Sequence, residues 1–211
     1  MTMLSTPLTQ GSNPKIKIGI LAFGSLIGDP GTELTPKITM RLKVQTPFGV
    51  EYARYSSITR GGAPTLVPHA NSFPVLGEIL VLDDAVTFVE ARNMLWRRER
   101  RREKSGEIYF EGKSSDSVLV RDIADSPIVS ILLYTDFLPE GKDANPTVEK
   151  LSQKAIQSVK IAAEGKDGIT YLLDNIAAGI KTSLTSDYEA EILKQTNTGS
   201  LQEAIKKVKT K

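Results

Sequence analysis

The hydrophobic pattern of this chain changes kind once, and that change constrains the fold more than any other feature. From about Asn145 onward the apolar residues recur at helical spacing, over roughly 146–164, 168–181, 185–195 and 200–209, punctuated by Gly165, Gly179 and Gly199. Before that point the pattern is that of strands. Residues 16–27 (IKIGILAFGSLI) form an apolar, β-branched run that meets the turn signal GDPG at 28–31. Residues 38–46 (ITMRLKVQT) alternate as a half-buried strand does, and 50–58, 65–68 and 75–82 read as further strands. SDSVLVRDI and SPIVSILLYTDF add two more. One helix interrupts this series: Asp83 or Asp84 can cap it, and it runs from about Ala85 to Lys104, where SGE ends it. Strands, one long helix, strands and a helical final third predict an α+β fold, with a mixed or partly closed sheet carrying a helical cap. A doubly wound fold needs regular alternation of strand and helix, which is missing.

Composition narrows the chemistry mostly by exclusion. The 211 residues suit one domain, with 1–14 read as a disordered tail rich in Ser, Thr and Pro and 15–211 as the domain. No internal repeat is evident. There is no Cys, so disulfides, thiolate metal sites and a Cys nucleophile are excluded. The single histidine, His69 in VPHANS, reads as a solvated or structural loop residue, and no His/Cys cluster exists for a metal. No G-x-S-x-G elbow exists, and GSLIGDPG lacks the Lys and Ser/Thr of a phosphate-binding loop. No cofactor is called for. Residues 1–14 carry no charged leader, and no run reaches the ~18 apolar residues of a membrane span. The expectation is a soluble, cytoplasmic protein with no membrane partner.

Two stretches remain as candidate sites. In AFGSLIGDPG (22–31), Gly24 lets the backbone turn sharply and approach a ligand, and successive N–H groups at such a turn make a nest for an anion such as a carboxylate. The plainer reading is an ordinary strand-to-loop turn. The second stretch is RRERRREK (97–104), with six basic side chains and two acids. It reads as a nucleic-acid patch, as a solvated helix end with i,i+4 ion pairs, or as a catalytic carboxylate set among arginines. A net charge of only +2 and 6% aromatic residues weigh against nucleic acid. On the helix, Phe88, Ala91, Leu95 and Glu99 share one face, so Glu99 continues an apolar stripe, where a carboxylate is costly unless paired or functional. Glu103 lies one turn further.

Taken in order, these segments resemble the γ-glutamylcyclotransferase-like superfamily, and in particular its ChaC-like branch. LAFGSLIGDPG is similar to the branch's Phe-Gly-Tyr-Gly-Ser-Leu-Ile strand and turn, followed by Pro-Gly. SSITRGGAPTLVP (56–68) resembles its Ser…Arg-Gly segment, and VLGEILVLDD its Gly-containing strand ahead of the long helix. MLWRRERRREKSG is similar to its helix carrying Leu-Asp-x-Arg-Glu, and 167–192 to its late helical segment. The matches are collinear from about residue 18 to 193. The sequence departs from the pattern at Phe23, Gly28, Trp96 and Gly168.

The resemblance implies a mixed, partly closed sheet or barrel of that type with a helical C-terminal third. It implies intramolecular aminolysis of a γ-glutamyl peptide or amine, such as glutathione, giving 5-oxoproline and a released amine without metal or cofactor. It implies a catalytic Glu: the spacing after Leu95 assigns Glu99, while the text following the acid fits Glu103, and Glu99 is preferred for keeping the leucine and the apolar stripe. The implied substrate-binding residues are Phe23, Gly24, Ser25, Leu26 and Ile27, and the remaining arginines of 97–104 are then mostly solvated. A non-catalytic small-molecule binding module on the same fold is the alternative, motivated by the departures at Phe23, Gly28 and Trp96. Neither the leaving group nor the oligomeric state is fixed by the sequence.

Overall fold

The computed structural model describes residues 17–56 and 58–210. The N-terminal tail expected over 1–14 lies outside them.

Five strands form a mixed sheet in the order β2-β5-β1-β7-β6: β1 Ile18–Ala22, β2 Ile38–Gln45, β5 Leu76–Leu82, β6 Val118–Ala124 and β7 Ile131–Phe137. Strand β1 is central, antiparallel to β5 and parallel to β7, and all five of its residues are buried. This explains its unbroken apolar sequence: a strand covered on both faces has no polar side to alternate with. Strand β2 is one edge, and its alternating sequence matches a largely half-exposed pattern. Strands β3 (Val50–Tyr55) and β4 (Pro64–Pro68) pair with each other as a separate two-stranded ribbon. The expected α+β class and mixed sheet are present.

The long helix α2 spans Phe88–Glu99 and covers one face of the sheet, where Ala91, Met94, Leu95 and Trp96 pack on Ile18, Ile20, Leu80 and Leu82. Both of its ends differ from the sequence expectation. It starts three residues later than Ala85 because Thr87 and Glu90 form a reciprocal capping box, while the Asp83 carboxylate accepts from the Ala85 N–H in the preceding turn. It stops at Glu99 rather than Lys104. Arg101 turns left-handed (φ 55°) and the chain folds back onto the loop after β1. Two carboxylates hold this reversal: Glu103 accepts from the backbone N–H groups of Thr32 and Glu33, and Glu33 accepts from the N–H of Lys104. Helical periodicity could not register a stop imposed by a segment about seventy residues away.

The last third is helical as expected, with α3 Val148–Ser158, α4 Gly168–Ala177, α5 Thr185–Thr196 and α6 Leu201–Lys209. (The four-residue Ser25–Gly28 turn after β1 is α1.) Thr147, Asp167 and Ser200 cap α3, α4 and α6 through their side chains. The helices bury a core of their own, including Leu151, Ile169, Leu172, Tyr188 and Ile192, against Val50, Tyr52 and Leu66 of the ribbon. Among the described residues no helix is long and apolar enough to cross a membrane.

Candidate functional site

A cleft of about 950 Å³ opens where β1 ends, bounded by α1, the end of α2, the β3–β4 ribbon, the ends of β6 and β7, and α4. It brings together the two stretches singled out in the sequence. Phe23, Gly24, Ser25, Leu26 and Ile27 line it, and so do Glu99 and Glu103. Phe23 supplies apolar wall and packs edge-on against Phe48, with centroids 6.2 Å apart. The N–H groups of Ser25 and Leu26 open α1 and therefore have no acceptor within it, whereas the Ile27 N–H bonds back to the Gly24 carbonyl at 3.2 Å.

Gly24 is needed here for the sharp turn the sequence suggested, and for a second reason as well. It sits at φ 64°, ψ −139°, a conformation that side chains avoid. A Cβ at this position would overlap the hydroxyl of Tyr171 on α4. The close approach that Gly24 permits is thus to a protein phenol, not to open cleft. Tyr171 is buried, receives the Leu66 N–H at 3.4 Å, and carries the Arg60 guanidinium 4.8 Å above its ring. Burial pushes its phenol above the ordinary value, with Arg60 and the Leu66 N–H partly offsetting that.

The two acids of the basic run have separate surroundings. Glu99 has a side chain 21% exposed, and one oxygen accepts from Arg98 Nη1 at 2.6 Å. Its charge also acts on Arg54 and Arg60, whose guanidinium pKa values burial lowers. Glu103, although on the cleft rim, uses its carboxylate to tie Thr32 and Glu33 to the chain reversal.

Four of the five arginines have partners, which corrects the reading of 97–104 as mostly solvated; Arg101 is exposed. Arg97 grips Glu33 through Nε (2.9 Å) and Nη2 (2.8 Å) and donates to the Glu107 carbonyl. Arg98, 10% exposed, reaches the Asp29 carbonyl, Ser25 Oγ and Glu99. Arg100 and Arg102 share the Glu107 carboxylate, and Arg100 also lies over Trp96. Trp96 itself is a core residue, edge-on to Tyr109 and Phe110. With most of its cations committed, the run should not hold RNA or DNA: filter binding at physiological salt should find no submicromolar affinity and no steep salt slope.

The Arg97–Glu33 pair fastens the loop after β1 to α2, and it sets an acid limit on the fold. Burial raises the Glu33 carboxyl, but the Arg97 hydrogen bond, the Lys104 N–H and the charges of Arg97 and Lys104 outweigh it and leave it below its ordinary 4.5. An acid depressed in the folded state contributes stability above its unfolded value, and loses it as pH falls through the folded one. Glu33→Ala strands a largely buried guanidinium and should cost about 3 kcal/mol at neutral pH. Its melting temperature should also fall less steeply than that of wild type below pH 4.5.

Sequence reasoning missed several residues of the cleft. Arg54, Asp116, Lys166, Asp174 and Asn175 line it, and none stood out in the sequence. Arg60, Tyr171, Asp174 and Asn175 lay inside segments already noted for their resemblance, which was the one available signal for them. His69 is not on the cleft; its N–H donates to the Gly49 carbonyl and its Nδ1 stands 3.4 Å from Ser72 Oγ, a structural turn. Among the described residues no group of three His, Asp or Glu could hold a metal ion.

No family model matches the sequence, and no curated protein matches it. Among solved structures the chain is similar to the crystal structure of a yeast γ-glutamyl cyclotransferase specific to glutathione, at 12% identity over 92% of this chain and 98% of that one, with a TM-score of 0.43.

Proposed function

We propose that the cleft is the active site of a γ-glutamylcyclotransferase-type enzyme, of the ChaC-like kind, that cleaves a γ-glutamyl peptide or amine such as glutathione into 5-oxoproline and the released amine. The observation that carries this reading is the meeting of the Gly24–Ile27 turn and Glu99 in one cleft, although they are far apart in sequence.

The chemistry follows from what the reaction demands. An α-amino group has a pKa of about 8, so at neutral pH the substrate arrives mostly as an ammonium. Glu99 holds that ammonium and takes a proton from it. The freed amine attacks the γ-carbonyl, forming the C–N bond of a five-membered ring and a tetrahedral oxyanion. The N–H groups of Ser25 and Leu26 stabilise the negative oxygen. Collapse breaks the old C–N bond as the proton held by Glu99 passes to the departing nitrogen; the second proton of the new ring nitrogen is then lost through Glu99 to the released amine, leaving 5-oxoproline and an ammonium. Arg60, on its Tyr171 platform beside Gly24, offers a fixed cation for the substrate's α-carboxylate. Ring closure needs the glutamyl chain held folded, and the walls at Phe23, Leu66 and Val67 supply that restraint. The site is read as acting inside the cell on a small molecule, with no metal, cofactor, nucleic acid or membrane involved.

A second reading has one observation in its favour. Glu99 already accepts a 2.6 Å bond from Arg98, and a carboxylate held this way could anchor a ligand's ammonium without turnover, as in a binding module. Incubation with a panel of γ-glutamyl peptides and amines, with chromatographic detection of 5-oxoproline, separates the two. Release from at least one compound is expected; binding without release from any supports the module, and neither binding nor release removes both.

A further inference from the structure

Arg54 is a charged side chain without adequate compensation. It lies near the end of β3 with only 12% of its side chain exposed, and its guanidinium sits 3.9 Å from the centroid of the Phe137 ring. Its ion-pair partner is Asp116, at 3.2 Å from Nη2, and Asp116 is 76% exposed. A carboxylate so solvated and screened repays little of the cost of burying a guanidinium. Nε is buried with no acceptor, and among the described residues nothing accepts from Nη1 either. Buried donors are rarely left without an acceptor, and one that faces a cleft calls for an explanation.

Arg54 also lies in the same cleft as the turn, but against different elements. Arg60 and the turn are joined through Tyr171 on α4, whereas Arg54 packs on Phe137 of β7 and pairs with Asp116 just before β6. Glu99 is within electrostatic reach of both guanidiniums. A ligand whose ammonium meets Glu99 and whose first carboxylate meets the Arg60 side therefore has a second cation waiting for its other end.

Resting on the proposed function, we infer that Arg54 is a specificity-determining residue that docks an anionic group on the leaving half of the substrate. The cleft then prefers γ-glutamyl compounds whose released amine bears a carboxylate over those whose released amine is uncharged apart from its nitrogen.

Two probes of nearly equal size decide this: γ-glutamylglycine, with the second carboxylate, and γ-glutamylethylamide, without it. Steady-state 5-oxoproline release should give a KM for the glycine compound lower by about 10-fold or more, the lower end of what a charge-assisted hydrogen bond provides. Arg54→Met removes the guanidinium over Phe137 but leaves an apolar side chain of similar reach there, and should bring the two KM values to within about 2-fold. Asp116→Asn removes the competing carboxylate from an exposed position that the fold tolerates, and should widen the preference. Equal KM values in wild type, or an equal loss on both probes in Arg54→Met, overturn the inference and leave the cyclotransferase reading intact. Turnover of neither probe, nor of any other γ-glutamyl compound, removes the reading and the inference with it. If Arg54→Met does not fold, Asp116→Asn decides alone: an unwidened preference refutes the docking role.

Discussion

Glu99→Gln should lower the rate of 5-oxoproline release by ~10²–10⁴, the usual contribution of a positioned acid–base group, while leaving a folded protein. The substitution keeps the side chain's size and its acceptor oxygen, so the bond from Arg98 can persist; what it removes is the site for the ammonium's proton. The loss should appear mainly in kcat, because the proposed grip on the α-carboxylate is Arg60 rather than Glu99. Glu103→Gln is the matched control. Its carboxylate accepts from Thr32 and Glu33, so neutralising it should loosen the chain reversal and lower the melting temperature, with activity falling only as far as the fold does. This differs from the expectation for a solvated helix-end acid, which would be silent. Melts and initial rates on both variants side by side distinguish the roles. An inactive Glu103→Gln beside an active Glu99→Gln would move the base by one turn of chain. Two active variants would remove the carboxylate mechanism.

Gly24→Val should abolish activity and destabilise the protein by about 3 kcal/mol or more. Two independent costs combine. A β-branched residue at φ 64°, ψ −139° carries backbone strain of ~1–3 kcal/mol. The new side chain must also displace the Tyr171 hydroxyl, which is enclosed in the core between Leu66 and the turn. Displacing Tyr171 tilts the platform under Arg60, so the site is lost along with the packing. The steric part is separable. Gly24→Ala combined with Tyr171→Phe removes the overlapping oxygen, and the pair should be less destabilising than the sum of the single substitutions, by ~1 kcal/mol in a denaturant double-mutant cycle. Strict additivity would show that backbone strain alone explains the requirement for glycine. A stable, active Gly24→Val would show that neither cost applies.

Local pattern alone gave the class of fold and singled out two of the stretches that line the cleft. The uniformly apolar run of β1, the alternation of β2 and the helical spacing after Asn145 each report how many faces an element buries, and the observed elements follow them closely. Turn chemistry placed the Gly24–Ile27 segment, and helical phase put Glu99 on the face that reaches the cleft. What depended on partners distant in the chain was decided only by the tertiary structure. Helix α2 stops at Glu99 because Glu33 and Glu103 tie the following residues to the loop after β1. Four of the five arginines of 97–104 are engaged because Glu33, Asp29 and Glu107 come to meet them, while Arg101 stays exposed. Tyr171 on α4 adds a steric requirement for Gly24 to the one its backbone turn already makes, and Arg54 becomes an undercompensated buried charge only once β3 is laid against Phe137. The physical reason is common to all four. Periodicity encodes burial along one element, whereas pairing, steric exclusion and desolvation arise between elements and take their values only when the chain has closed on itself.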